Sequence, residues 1–216
     1  MPAPLQSILL SAEREWARWG KSTWNVLTDL KRIKHSDDEP VFAQHVIDEY
    51  CLIGGGSPSL LDIQDDRYYW SAVGMSAIMS SAGFKKKEFP FAQSHSHFIR
   101  HFIAARRKGD SDAAYWGFRA GEAGSQPEPG DLVAYARGKK MTAQKATAIF
   151  DSSSSYESHV DVVVAKRFAE IDVIGCNVLD SVTKKTLQIN AKGHLVDKYH
   201  FWFAVLKRKE PRPIDL

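Results

Sequence analysis

The feature that most constrains this chain is a change in the period of its apolar residues. Up to about residue 107 they recur every three or four positions; beyond residue 130 they gather into short β-branched runs. Between Leu5 and Ile33, apolar residues fall at Leu5, Ile8, Leu9, Ala12, Trp16, Trp19, Trp24, Leu27, Leu30 and Ile33, the spacing of a helix face, with Gly20 and Ser22 dividing the stretch into two helices. His35–Pro40 reads as a helix entry, with Asp37 or Asp38 as cap and Pro40 in the first turn. The helix that follows, Val41 to about Tyr50, ends in the breaker Gly54-Gly55-Gly56-Ser57-Pro58. Further helices are predicted over Trp70–Ser81, closed by Gly83, and over Ser94–Arg107, with Phe98, Ile99, Phe102 and Ile103 on one side. Strands are predicted over Gly130–Tyr135 (a turn feeding a strand), His159–Ala165, Val173–Val178, Thr186–Ile189 and Phe201–Leu206. Asn190–Gly193 reads as a hairpin-type turn, and Ser152–Ser155 as a polar loop. Helices first and antiparallel strands second imply an α+β fold. The expected organisation is an N-terminal helical extension over residues 1–60 and an α+β domain over 61–216, forming one compact unit.

Composition narrows the function classes. With 216 residues, 44% apolar and 25% charged, the chain can bury a core without staples, which excludes wholesale disorder and fibrous folds. No apolar run approaches the roughly 20 residues that cross a bilayer, so no stable membrane insertion is expected. The first helix mixes both charge signs on its polar face, which favours packing on its own domain over lying on a membrane. The N-terminus has neither a basic n-region nor a long apolar h-region, so synthesis in the cytoplasm without a Sec signal is expected. Twenty-nine basic and 26 acidic residues give a net charge of +3, too balanced to call for a nucleic-acid partner. Two cysteines, Cys51 and Cys176, make neither a disulfide framework nor a C-x-x-C metal site. The glycine run lacks the lysine and the preceding strand of a phosphate loop.

Three segments carry chemistry. Tyr69-Trp70-Ser71-Ala72-Val73 places Ser71 at or near a helix N-terminus, where backbone N–H groups and the helix dipole favour developing negative charge. The commoner use of such a serine is a plain N-cap. Ser158-His159-Val160-Asp161 places an imidazole and a carboxylate on one face of a strand, a pairing that orients a general base; the alternative is a surface histidine beside an edge acid. Ile174-Gly175-Cys176-Asn177-Val178 offers Asn177, which could hold a histidine tautomer as a third triad member does, or serve as a turn residue.

W-S-A-V at a helix head, then S-H-S-H-F-I, P-G-D-L-V-A-Y, H-V-D-V-V-V and I-G-C-N-V-L-D-S-V, in that order from about Asp66 to Leu206, resembles a bacterial domain family of unknown function. That family is allied to the NlpC-type and CHAP-type papain-like peptidoglycan amidases. The resemblance implies a papain-like antiparallel sheet packed on a central helix. It puts Ser71 in the place of the catalytic cysteine, His159 in that of the general base and Asn177, with Asp161 second, in that of the residue that orients the histidine. His95, Trp70 and Ser94 are then candidate substrate contacts. The implied reaction is hydrolysis of an amide bond in cell-wall peptides, lost as His159 protonates.

The departure from the family pattern is serine for cysteine. A thiol beside imidazole becomes thiolate readily, whereas a hydroxyl must lose its proton during attack. Cys51 and Cys176 lie away from the helix head, and neither is read as the nucleophile. Two rivals follow: a non-catalytic cell-wall or protein-binding domain, and a serine esterase or lipid acyl hydrolase, the latter lacking a G-x-S-x-G elbow around Ser71. The resemblance implies action in the periplasm or cell wall, including that of a target cell, as a type VI secretion toxin or phage lysis protein with an immunity or delivery partner. No cofactor and no metal are expected: His97 and His101 share a helical face at i, i+4, without the glutamate of H-E-x-x-H. Lys85-Lys86-Lys87 reads as a solvated turn, and His35, His45, His194 and His200 receive no role.

Overall fold

A computed structural model describes residues 3–65, 67–197 and 199–209. Asp66, where the resemblance starts, lies outside the described residues. The chain runs α1 (Leu5–Arg18), β1 (Ser22–Asn25), β2 (Leu30–Arg32), α2 (Pro40–Ile53), α3 (Leu60–Gln64), α4 (Ser71–Ser81), α5 (His95–Arg107), β3 (Tyr115–Arg119), β4 (Leu132–Ala136), α6 (Ala143–Ile149), β5 (Ser158–Lys166), β6 (Glu170–Gly175), β7 (Thr183–Gln188) and β8 (Phe201–Arg208). The strands form an eight-stranded sheet in the order β2-β1-β7-β6-β5-β4-β8-β3. Every pairing is antiparallel except β1 with β7. The fold is α+β with a mostly antiparallel sheet.

The N-terminal 60 residues are not helical throughout. After α1 the chain makes a short hairpin, and β1 joins the sheet in parallel with β7, from Ser22↔Thr183 to Asn25↔Thr186. This segment therefore supplies one edge of the sheet. Leu27, Leu30 and Ile33, whose spacing suggested a second helix, are exposed. At the start of α2 the cap is Glu39, with Pro40 in the first turn, while Asp37 is buried. Gly54 closes α2 in the left-handed region (φ 73°), which a glycine enters without steric cost. Asn190–Gly193 does turn, with Gly193 N donating to Asn190 O at 2.8 Å, and Ile189 and Leu195 bridge antiparallel across it, although β7 and β8 are not neighbours in the sheet.

The sheet separates two apolar clusters. The larger combines α1, α2, α4 and α5 with Leu132, Ala134, Val160, Val162 and Ile174; the smaller gathers Val133, Val163, Val173, Leu187 and Val205 on the other face. Alternation along β5 then puts His159 and Asp161 on the face of Val163. The Gly-Asp-Leu-Val motif is structural. Buried Asp131 accepts from Glu128 N and Arg208 N, both at 2.7 Å, and pairs with Lys207, tying the head of β4 to the end of β8.

Candidate active site

The site begins at the head of α4. Ser71 through Met79 are all buried, so this helix is apolar on every side and is held within the domain. Its entry is pinned by Trp70, whose ring stacks on Trp19 (centroids 4.9 Å apart, 15° between planes) and whose Nε1 donates to Asp37 Oδ2 at 2.6 Å. Trp70 is enclosed in the core, which corrects its expected role as a substrate contact. Trp70, the N-cap residue of α4, makes no side-chain cap hydrogen bond to the helix. Ser71, first in the helix, is 6% exposed.

The histidine that meets Ser71 is His95, the first residue of α5: its Nε2 lies 2.9 Å from Ser71 Oγ. Ser94, the exposed residue before it, bonds Ser96 Oγ at 2.9 Å. The His159 ring lies beyond, with its centroid 5.1 Å from that of His95. His159 is wholly enclosed and sits 5.1 Å, ring to ring, from its cross-strand neighbour Tyr135. Its Nε2 is 3.2 Å from Asp161 Oδ1, and Asp161 Oδ2 is 2.8 Å from Lys185 Nζ on β7. Asp161 fits because residue 175 is glycine, where a Cβ would overlap its Oδ1. The groups line up as Ser71, His95, His159, Asp161, Lys185, with Lys185 Nζ also 3.5 Å from His200 Nε2.

Burial sets the protonation states. It penalises imidazolium and takes His159 down to about 4 against the partial opposition of Asp161. Burial, followed by the neighbouring His159, takes His95 well below the ordinary histidine value. Burial alone would raise Asp161, but Lys185 and His159 hold it well below the usual carboxylate range. Burial would lower Lys185, and Asp161 more than offsets it. Both imidazoles are therefore neutral at pH 7. The Asp161 carboxylate assigns the His159 proton to Nε2, which leaves Nδ1 as a lone pair. Among the described residues neither His159 Nδ1 nor His95 Nδ1 has a hydrogen-bond partner.

Of the residues singled out from sequence, the structure thus brings together Ser71, His95, His159 and Asp161. Among the described residues Asn177 makes no hydrogen bond to His159: it lies in the bend after β6 with φ 52°, His159 Nε2 is taken by Asp161, and His159 Nδ1 has no partner there. Cys176 is buried with its thiol pushed up, and Cys51 stands on α2 facing the glycine loop, Sγ to Gly56 O 3.8 Å. Lys185 was missed from sequence, although its alternation with Thr183 and Leu187, all three buried, marks it as inward-facing. A groove of about 540 Å³, lined by His194, Asp197, His200, Phe201 and Trp202 among others, includes none of Ser71, His95 and His159; it meets the array through His200. No helix of the described residues is long and apolar enough to cross a membrane.

The profile of a bacterial family, described as "Uncharacterized protein conserved in bacteria (DUF2272)", matches residues 48–208, and the chain belongs to that family. The match contains Ser71, His95, His159, Asp161 and Lys185, while α1, β1 and β2 precede it. No curated protein and no solved structure matches the chain.

Proposed function

With membership of this bacterial family as the premise, we propose that the chain is a serine hydrolase cutting an amide bond of peptidoglycan stem peptides, on a papain-like, NlpC-type framework. The observation that carries the reading is the 2.9 Å contact between Ser71 Oγ and His95 Nε2 at the head of a buried helix. A serine needs its base in place at the moment of attack, and a neutral imidazole at hydrogen-bond distance meets that need. Ser71 attacks the carbonyl while His95 Nε2 takes its proton, and the first-turn N–H groups of α4 receive the oxyanion. Collapse breaks the C–N bond, and His95 hands the proton to the leaving amine. Water then cleaves the acyl-serine ester, again with His95 as base. This moves the base from His159 to His95. His159, held by Asp161, packs behind it as a positioning residue, and it is the Asp161 carboxylate, not the His159 ring, that favours charge on His95.

The substrate class comes from the resemblance to NlpC-type amidases. On this reading the protein acts at the cell wall, its own or a target cell's, as a secreted toxin or phage lysis protein, with an immunity or delivery protein as partner. The test is peptide release from purified sacculi. Wild type releases soluble peptides, and Ser71→Ala lowers the rate by about 10³-fold or more. Equal rates would remove the hydrolytic role of Ser71. Fatty acid released from phospholipid vesicles, with intact sacculi, would make the chain a lipid acyl hydrolase.

One observation favours a second reading: Ser71 is 6% exposed and His159 not at all, an enclosure that suits a domain that binds wall peptides without cutting them. In that case wild type and Ser71→Ala bind sacculi equally, and neither releases peptide.

A further inference from the structure

A second, partly buried polar cluster lies between α1 and α2. His45 and Glu49 stand at i, i+4 on α2, so they share a face, and Glu15 reaches them from α1. His45 Nε2 is 2.8 Å from Glu15 Oε1 and 3.5 Å from Glu49 Oε1. One donor atom from each of the three residues falls within 4.8 Å of the others. Glu49 is 4% exposed, and its Oε2 has no hydrogen-bond partner among the described residues. That oxygen abuts α4, 3.3 Å from where a Cβ on Gly74 would stand.

A buried carboxyl with an unbonded oxygen beside a second carboxylate needs a proton or a cation. The cations at hand are His45, if protonated, and Arg18. Arg18 is spread between Glu15 Oε2 (3.7 Å from Nε) and His45 Nδ1 (3.2 Å from Nη1), with its side chain 58% exposed, so it does not reach Glu49 as a partner. Burial, followed by Glu15, raises Glu49 well above the ordinary carboxylate range, while His45 and Arg18 hold Glu15 below it.

We propose that Glu15, His45 and Glu49 form a binding site for a divalent transition metal, with zinc the natural occupant of a one-nitrogen, two-carboxylate set. The metal takes His45 Nε2, a Glu15 oxygen and a Glu49 oxygen, and water completes the coordination. With Nε2 on the metal the imidazole proton stays on Nδ1, so Arg18 turns from Nδ1 toward solvent. Trp19 Nε1, which donates to Glu15 Oε1 at 2.9 Å, steadies that ligand as an outer hydrogen bond does in metal sites. The site joins α1, which precedes the family match, to α2 and α4 within or bordering it. Its role is structural: it clamps the N-terminal helix onto the domain.

The experiment uses the full chain, stripped with chelator and titrated with Zn²⁺, with Mg²⁺ as control. One equivalent of zinc is expected to bind and raise the melting temperature, and magnesium to do neither. Glu49→Gln, which keeps shape, and His45→Gln are each expected to weaken zinc binding at least tenfold, with metal-free melting checked to show that the variants fold. His97→Gln/His101→Gln, altering the exposed pair on α5, is expected to bind as wild type does. Absence of stoichiometric zinc binding to the folded wild type overturns the proposal, as does binding unchanged in both cluster variants or abolished by the α5 pair.

Discussion

Two buried polar clusters lean on helix α4, and they solve the problem of burial in different ways. At its head, each charge has an opposite: Asp161 lies 2.8 Å from Lys185 and 3.2 Å from His159, and the atoms left over are ring nitrogens of neutral imidazoles. One turn on, carboxyl groups are in excess, and the atom left over is Glu49 Oε2. The first arrangement leaves positions that can take and pass a proton; the second leaves one that calls for a proton or a metal. Burial of charge by itself says little about function. The identity of the atom without a partner says more.

The largest effect separates the two by stability. Lys185→Met leaves Asp161 as a buried, uncompensated carboxylate and is expected to cost about 3–5 kcal/mol in urea unfolding. Glu49→Gln in the metal-free protein keeps the shape of a buried group whose pKa burial raises, and is expected to cost less than about 1 kcal/mol. If Glu49→Gln proves as damaging as Lys185→Met, the carboxyl has a partner in solution and the contrast fails.

Acid sharpens the same contrast, because His159 and Glu49 have stability slopes of opposite sign. His159 titrates at about 4 when folded and at the ordinary histidine value when unfolded, so between those values the unfolded chain binds more protons. Stability tied to His159 is full above that window and falls as pH drops through it, by up to about 3 kcal/mol at 1.36 kcal/mol per unit. Glu49, raised in the fold, does the reverse: its contribution falls as pH rises above the ordinary carboxylate value. Urea midpoints from pH 4 to 8 should therefore show Glu49→Gln gaining on wild type as pH rises. A flat difference would show that Glu49 titrates normally. In the hydrolase reading, the acid limb of kcat/KM should also lie below the ordinary histidine range, since burial keeps His95 neutral well into acid.

The wall between the clusters can be pushed directly. A Cβ on Gly74 would stand 2.7 Å from both Cβ and Sγ of Cys176. Gly74→Ala is expected to cost about 1–3 kcal/mol by overpacking. Combining it with Cys176→Ala should recover part of that loss as a favourable coupling in a double-mutant cycle. Strict additivity would mean that α4 and the Cys176 bend do not touch.

Much of this frame was legible in the sequence where one pattern had no competitor. The helices α2 and α5 follow apolar periodicity with clear stops, α4 follows a small-residue and apolar run closed by Gly83, and β4 to β8 follow β-branched runs. The failures have physical causes. Trp24, Leu27, Leu30 and Ile33 repeat every three residues, but they span a hairpin turned at Asp29 (φ 57°), and the pairing of β1 with β7 decided their structure. Tyr115–Arg119, Leu60–Gln64 and Ala143–Ile149 are only five to seven residues long, too short for a period to register. Ser71, His95, His159 and Asp161 could all be picked from sequence as chemistry-bearing residues. Which histidine meets Ser71 could not, because that depends on where the first turn of α5 docks. Lys185 sits in Thr-Lys-Lys-Thr, where Lys184 looks the same to any reading that ignores alternation.

The smallest effect tests the residue on which resemblance and geometry part. By resemblance Asn177 orients the imidazole; in the structure that hydrogen bond belongs to Asp161, and Asn177 occupies a left-handed turn at φ 52°. Asparagine tolerates that conformation and glycine adopts it freely. Asn177→Gly should change stability by less than about 1 kcal/mol and leave peptide release from sacculi within twofold of wild type, whereas Asp161→Asn should abolish release. A hundredfold loss in Asn177→Gly with an unchanged urea midpoint would return the orienting role to Asn177. The bend after β6 would then have to close onto His159 once substrate binds, and the enclosed arrangement of the histidines would be the resting form of a site that rearranges to act.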